Sequence, residues 1–323
     1  MARRLLIPLC LLIALASLGL SLLVGSAEIP APEVLRLLLT DDGSAHDRII
    51  DELRLPRSIA AFAVGGLLAL AGALIQVLLR NPLGDPYVLG VSGGASAAVL
   101  GAMLLAVPAA WHTPAAVVGA LVSTLLVFTL AHRGDDWRSE RLLLTGIVVA
   151  AGWSAVISFT LSLSPAAQLP GMLFWLMGDL GAADRPALPL AILAVTLVFA
   201  LARARDLNIA ALGMLQADAL GVDTRRLRLE LYFAGALLTA AAVTTAGAVG
   251  FVGLVTPHLV RRLGFTDHRL LLPAAVLLGG SLLLLADSLA RTLVSPMQLP
   301  VGVLTAMLGV PVFLALLQRR GGR

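Results

Sequence analysis

Ten runs of apolar residues, most of them near twenty long, recur along this chain and leave few folds open to it. About 20 consecutive apolar residues let an α-helix cross a lipid bilayer. In hydrocarbon the backbone must satisfy its own hydrogen bonds, which restricts spanning structures to helices and closed barrels. The runs lie at 5–25, 57–79, 92–110, 114–132, 141–164, 187–204, 229–249, 251–263, 271–293 and 301–318. The eighth is short, opens with Gly250-Phe251-Val252-Gly253 and is interrupted by His258, so it reads as a broken or partial helix. Only 13% of the residues are charged and 59% are hydrophobic. A soluble surface needs about 25% charge, so a soluble domain, a disordered chain and a nucleic-acid-binding module are excluded. The expectation is an all-α polytopic membrane protein, one domain over residues 1–323, with about ten transmembrane helices.

The first run follows Arg3 and Arg4 and precedes Gly25-Ser26-Ala27, the outline of a signal peptide. Its length from Leu5 to Val24 exceeds the apolar region of about 7–15 residues that a signal carries, so it reads as a retained first helix. With the N-terminus cytoplasmic and sides alternating through ten spans, 17 of the 23 basic residues fall inside, and Arg36, Arg48, Arg54, Arg57, Arg185 and Arg291 fall outside. This is the positive-inside bias of a multi-pass inner-membrane protein with both termini cytoplasmic. The acids divide nearly evenly and do not oppose it. The basic residues are all arginine, which reflects codon usage in a GC-rich genome and carries no functional message. The lone cysteine, Cys10, permits no internal disulfide. Three more hydrophilic stretches stand out: 26–56 and 165–186 on the outer side, and 203–228 on the cytoplasmic side. In the last, Leu212, Leu215 and Leu220 form modest apolar faces, and Gly213 and Gly221 punctuate two short helices.

Three catalytic or metal-binding signatures are missing from the sequence: there is no H-E-x-x-H, no G-x-x-x-x-G-K-[ST] and no Cys–His cluster with zinc spacing. The five histidines are dispersed and no metal site is expected. A charge at the bilayer centre costs about 2.5–3.5 kcal/mol on insertion scales, and few are retained here. Asp287 and Arg291, spaced i,i+4 near the outer end of the ninth run, can neutralise one another. A membrane protein with neither an ionisable relay nor a nucleotide site needs energy from a partner. An ion-coupled secondary transporter would need a buried essential acid, and a membrane enzyme would need a polar cluster within the spans.

Four stretches carry more: residues 53–95 with R-N-P-L-x-D-P-x-x-L-G-V-S, residues 212–223 (LGMLQADALGVD), residues 247–273 with G-F-V-G-L-x-x-P-H, and residues 284–317. Together they resemble, essentially end to end, the FecCD/BtuC-like permeases. These are the membrane subunits of type II ABC importers for iron–siderophore complexes, haem and vitamin B12. The resemblance implies a ten-helix subunit that pairs with a second copy around a central pathway, two ATPase subunits on the cytoplasmic face, and a periplasmic binding protein that delivers substrate. The subunit itself would perform no covalent chemistry and hold no permanent cofactor; ATP would be used by the partner. An iron complex, haem or a ferric siderophore, is the favoured cargo because most of the family handles iron, with cobalamin as the alternative.

By the same resemblance, Leu212, Gly213, Met214, Ala219, Leu220 and Gly221 belong to the cytoplasmic loop that docks on the ATPase. Met214 stands where the family often has an acid. Arg54, Arg57 and Arg291 match outer arginines that receive glutamates from the binding protein, a role suited to the planar guanidinium fork. Met172, Trp175 and Met177 match the segment beside the outer mouth of the pathway, where methionine offers a weakly adhesive wall; interfacial anchoring by Trp175 is the alternative. Gly90, Gly93 and Gly94 allow close helix packing at the start of the third run. Gln298 stands where the family commonly has Glu.

Overall fold

The computed structural model describes all residues except 1, 26, 28, 38, 41–42, 133–138, 182, 184, 296 and 319–323. Among the arginines counted for orientation, Arg133, Arg138, Arg319, Arg320 and Arg323 lie outside the described residues. Every regular element among the described residues is helical. In chain order these are α1 (Ala2–Leu23), α2 (Ala31–Leu37), α3 (Ala45–Leu79), α4 (Val91–Leu104), α5 (His112–Ala131), α6 (Ser139–Leu163) and α7 (Leu169–Met177). They continue as α8 (Ala187–Ala202), α9 (Ala204–Leu212), α10 (Met214–Ala219), α11 (Thr224–Ala246), α12 (Val252–Arg262), α13 (His268–Thr292) and α14 (Val301–Gln318).

Each apolar run lies on a helix, but the helices are not ten equal spans. Six of them, among the described residues, are long and apolar enough to cross a bilayer: α1, α3, the segment Ala109–Ala131 that contains α5, α6, α11 and α13. A seventh arises if α8 and α9, bent by 63° at Arg203, count as one. The third run stops as helix at Leu104, because Ala106 takes a positive φ of 53° and Pro108 follows. The eighth run forms a helix of only 11 residues. At 1.5 Å per residue it covers about 16 Å, roughly half the hydrocarbon thickness. Two outer stretches also acquire helix: α3 begins at Ala45 and carries a π-helical turn over Ile49–Arg54, and α7 lies within 165–186.

The bundle is organised around α3. From Ser58 to Leu79 every residue except Ile59 and Phe62 is buried, and α3 packs chiefly against α13, α11 and α12. Small residues make this possible. A β-carbon on Gly72 would overlap the Gly253 carbonyl at the head of α12, so the two backbones are in direct contact. Gly94 meets the Gly119 backbone in the same way where α4 crosses α5. The outward faces of α1, α5, α6 and α8 carry exposed leucine, valine and phenylalanine, as a lipid-facing rim requires.

Between α11 and α12 the chain leaves helical geometry over residues 247–251, with Phe251 at φ 69°. Irregular backbone at this depth is tolerated only where protein satisfies it. Tyr87 does so: its hydroxyl donates to the Val249 carbonyl at 2.9 Å and accepts from the Val249 N–H at 2.8 Å. The Asp85 carboxylate caps the short turn that holds Tyr87, accepting from the Tyr87 N–H at 2.8 Å. Tyr87→Phe strands both Val249 groups, and the expected loss is about 2–4 kcal/mol, measurable as a lowered unfolding midpoint in detergent.

Candidate functional site: two coupled faces

The outer face gathers arginines from two distant parts of the chain. Arg54 and Arg57 stand at the head of the second apolar run on α3, and Arg291 stands in the last turn of α13. Together with Glu52, Gln298 and neighbouring loop residues they line a pocket of about 450 Å³. Arg54 is 4% exposed and Arg291 6%. Their guanidinium groups already have internal partners. Arg54 donates through Nη1 to the Leu22 carbonyl at 2.7 Å and through Nη2 to the Ala27 carbonyl. Arg57 pairs through Nη2 with Asp287 Oδ1 at 2.8 Å, and its Nη1 donates to Gln298 Oε1 at 3.0 Å. Arg291 pairs through Nε with Asp287 Oδ2 at 3.2 Å, and its Nη2 donates to Ser21 Oγ at 2.9 Å.

Asp287, fully buried, is therefore shared by two arginines, one from α3 and one a turn along α13. A carboxylate taken out of water needs such partners, since an unpaired buried charge is strongly destabilising. The cluster of Arg54, Arg57, Arg291 and Asp287 still carries two net positive charges. The i,i+4 pairing of Asp287 with Arg291 is readable from the sequence, whereas Arg57 reaches the same carboxylate from 230 positions away. Gln298 supplies Arg57 with an acceptor while adding no charge to the pocket.

Beside this pocket, α7 is wedged between the end of α11 and the start of α14. The Asp179 N–H donates to the Ala246 carbonyl at 2.9 Å, and the Val301 N–H donates to the Gly178 carbonyl at 3.0 Å. Met172 is fully buried, Trp175 and Met177 are half-buried, and α7 presents Pro170, Leu173 and Phe174 outward. The structure thus separates Met172 from the other two residues of that segment.

The face expected to be cytoplasmic is built from α9 and α10. Gly213 joins them at φ 141°, a region that favours glycine, and a β-carbon there would strike the Gln216 side chain. Met214 and Ala217 turn inward and are buried, which anchors α10. Leu212, Leu215 and Leu220 turn outward, exposed by 71%, 85% and 60%. Ala219 and Gly221 are exposed beside them, and Gly213 is buried. Leu215 belongs to this apolar knob, and its spacing of three from Leu212 is the signal that marks it. Met214 serves the interior.

Polar contacts fix the knob to the bundle. Arg203 Nη2 pairs with Glu230 Oε1 at 2.6 Å, Arg226 Nε meets the same oxygen at 2.9 Å, and Thr224 Oγ1 donates to Asp218 Oδ1 at 2.6 Å. On the other side Asn208 Nδ2 donates to Asp267 Oδ1 at 2.8 Å, and the His268 N–H donates to Asn208 Oδ1 at 2.9 Å. The Asn208 carboxamide, and after it the Arg269 N–H, hold the Asp267 carboxyl below the usual carboxylate range. Among the described residues no group of three or more His, Cys, Asp or Glu is placed to hold a metal ion.

A cluster of arginines lies at one end of the bundle and an apolar helical knob at the other. The chain is 41% identical over 291 residues to the hemin transport system permease protein HmuU of Yersinia pestis, covering 87% of this chain and 86% of that one. It is 39% identical over 327 residues to the vitamin B12 import system permease protein BtuC of Klebsiella pneumoniae, covering 100% of this chain and 96% of that one. A solved structure of an inward-facing metal-chelate type ABC transporter superposes with a TM-score of 0.87 at 29% identity, covering 97% of this chain and 98% of that one. The model of the FecCD transport family matches residues 11–319, and the protein belongs to that family of multi-pass ABC-importer permeases.

Proposed function

We propose that two copies of this chain form the translocation pathway of an ATP-driven importer for an iron complex, haem or a ferric siderophore, handed over by a periplasmic binding protein. The observation that carries this reading is the knob: three exposed leucines on and just after two short helices that are otherwise tied down. Large exposed apolar side chains grouped on a soluble face mark a contact surface, and an ATPase subunit is the partner that would supply the energy. The hemin permease among the relatives supports the iron complex. The full-length match to a vitamin B12 permease favours cobalamin as the second reading. Uptake into vesicles that hold the complex, measured side by side for haem, a ferric siderophore and cobalamin, tests the choice. Saturable uptake of cobalamin alone would overturn the iron reading.

Docking at the outer face would proceed by exchange. A carboxylate of the binding protein takes guanidinium N–H groups that now face Gln298 and Asp287, and Arg57, with 13% of its side chain exposed, is the first it meets. An ion pair formed at the surface contributes about 0–1 kcal/mol and is screened by salt. Arg57→Gln is expected to weaken binding-protein affinity about threefold at low salt and to flatten its salt dependence. Unchanged affinity and slope in a titration would remove Arg57 from the docking surface.

A further inference from the structure

Helix α13 touches both faces through polar contacts; α3, which carries Arg54 and Arg57, also packs against α9. The first turn of α13 is bound to the cytoplasmic α9 by Asn208, and its last turn carries Asp287 and Arg291 of the outer cluster. It runs for 25 residues without interruption, about 37 Å at 1.5 Å per residue, and most of its length is buried against α3 and α1. Asn208 sits one turn before the exposed Leu212. Its carboxamide oxygen accepts the His268 N–H and lies 2.7 Å from His268 Nδ1, while its nitrogen donates to Asp267, the cap residue of α13. This first turn depends on those caps. Pro273 in the next turn has no N–H and leaves the Arg269 carbonyl without its usual helical donor. The other polar anchors of the loop, Arg203 on Glu230 and Asp218 on Thr224, lead to α11, which carries no residue of the arginine cluster.

We infer that α13 is the rod by which occupancy of the outer arginine cluster reaches the ATPase-facing knob, and that Asn208 is the positioning residue that joins knob to rod. The inference rests on the proposed importer function. It requires a discrete, packed connection between two sites, and a buried helix fixed at both ends is such a connection. Asn208 touches neither cargo nor nucleotide in this scheme; it acts through Asp267 and His268.

The test uses the complete complex in vesicles, with basal ATP hydrolysis, its stimulation by loaded binding protein and uptake all measured. Asn208→Leu keeps the side-chain size and removes the hydrogen bonds to Asp267 and His268. The expected result is basal hydrolysis and half-maximal binding-protein concentration within about twofold of the parent, with maximal stimulation and uptake about tenfold lower, an ordinary strength for coupling between sites. The exchange Asn208→Asp with Asp267→Asn rebuilds a donor–acceptor pair and should restore stimulation, whereas Asn208→Asp alone sets two carboxylates together and should not. If Asn208→Leu fails to assemble, this comparison decides. Full stimulation in Asn208→Leu, or a double variant no better than Asn208→Asp, would overturn the inference and leave the importer reading standing. A parent complex that never associates with an ATPase would remove the reading and the inference together.

Discussion

Aspartate in place of Leu212, Leu215 and Leu220 is expected to abolish ATP-driven uptake while leaving the helical bundle folded. The three side chains are mostly exposed, so the core loses nothing, and their neighbours Met214 and Ala217 remain to anchor α10. At an interface the balance reverses. Burying a leucine contributes about 1.5–3 kcal/mol, and a buried unpaired carboxylate costs more than the leucine contributed. A few central apolar anchors usually carry most of an interface, so association with the ATPase subunit should weaken at least about a hundredfold. Co-purification with that subunit and the unfolding midpoint of the permease alone, measured on the same variant, separate the two effects. A retained complex would remove the knob as the coupling surface. A lowered midpoint of the isolated permease would show that the leucines hold the fold instead.

Gly72→Ala is the second change with a large expected effect, although it adds only one methyl group. Its β-carbon would overlap the Gly253 carbonyl, which is backbone and cannot rotate away. The helices α3 and α12 must separate, and the loss spreads through the most buried part of the bundle. Overpacking of a core costs about 1–3 kcal/mol and sometimes more, and contact between two backbones belongs at the upper end. Gly101 on α4 is the control. Nothing lies within 4 Å of a β-carbon there, and alanine favours helix over glycine by about 0.8–1.0 kcal/mol, so Gly101→Ala should be neutral or slightly stabilising. Thermal unfolding of both variants in the same detergent gives the comparison. A Gly72→Ala protein as stable as the parent would contradict the packing described for α3.

What the sequence makes visible follows from the range of the forces involved. Apolar runs and the asymmetry of arginine mark the helices and their orientation because both act locally. The pairing of Asp287 with Arg291 is visible for the same reason, being one helical turn. The capture of Asp287 by Arg57 and of Val249 by Tyr87 is not visible, because each joins residues more than 150 positions apart. Run length also overstates helix length. The third run, 92–110, ends as helix at Leu104, while the eighth, already short in the sequence, forms an 11-residue helix. Burial of Met172 and Met214 was beyond reach, since a methionine on a short helix suits a wall, a partner or the interior equally well.

Uptake by the complex in vesicles loaded with or without ATP on the ATPase side, and with or without a protonophore, tests the importer account most directly. The expected result is cargo accumulation that needs ATP and the ATPase subunit and is unaffected by collapse of the proton gradient. Accumulation that continues without the ATPase subunit and stops with the protonophore would contradict the account and make the chain an ion-coupled carrier.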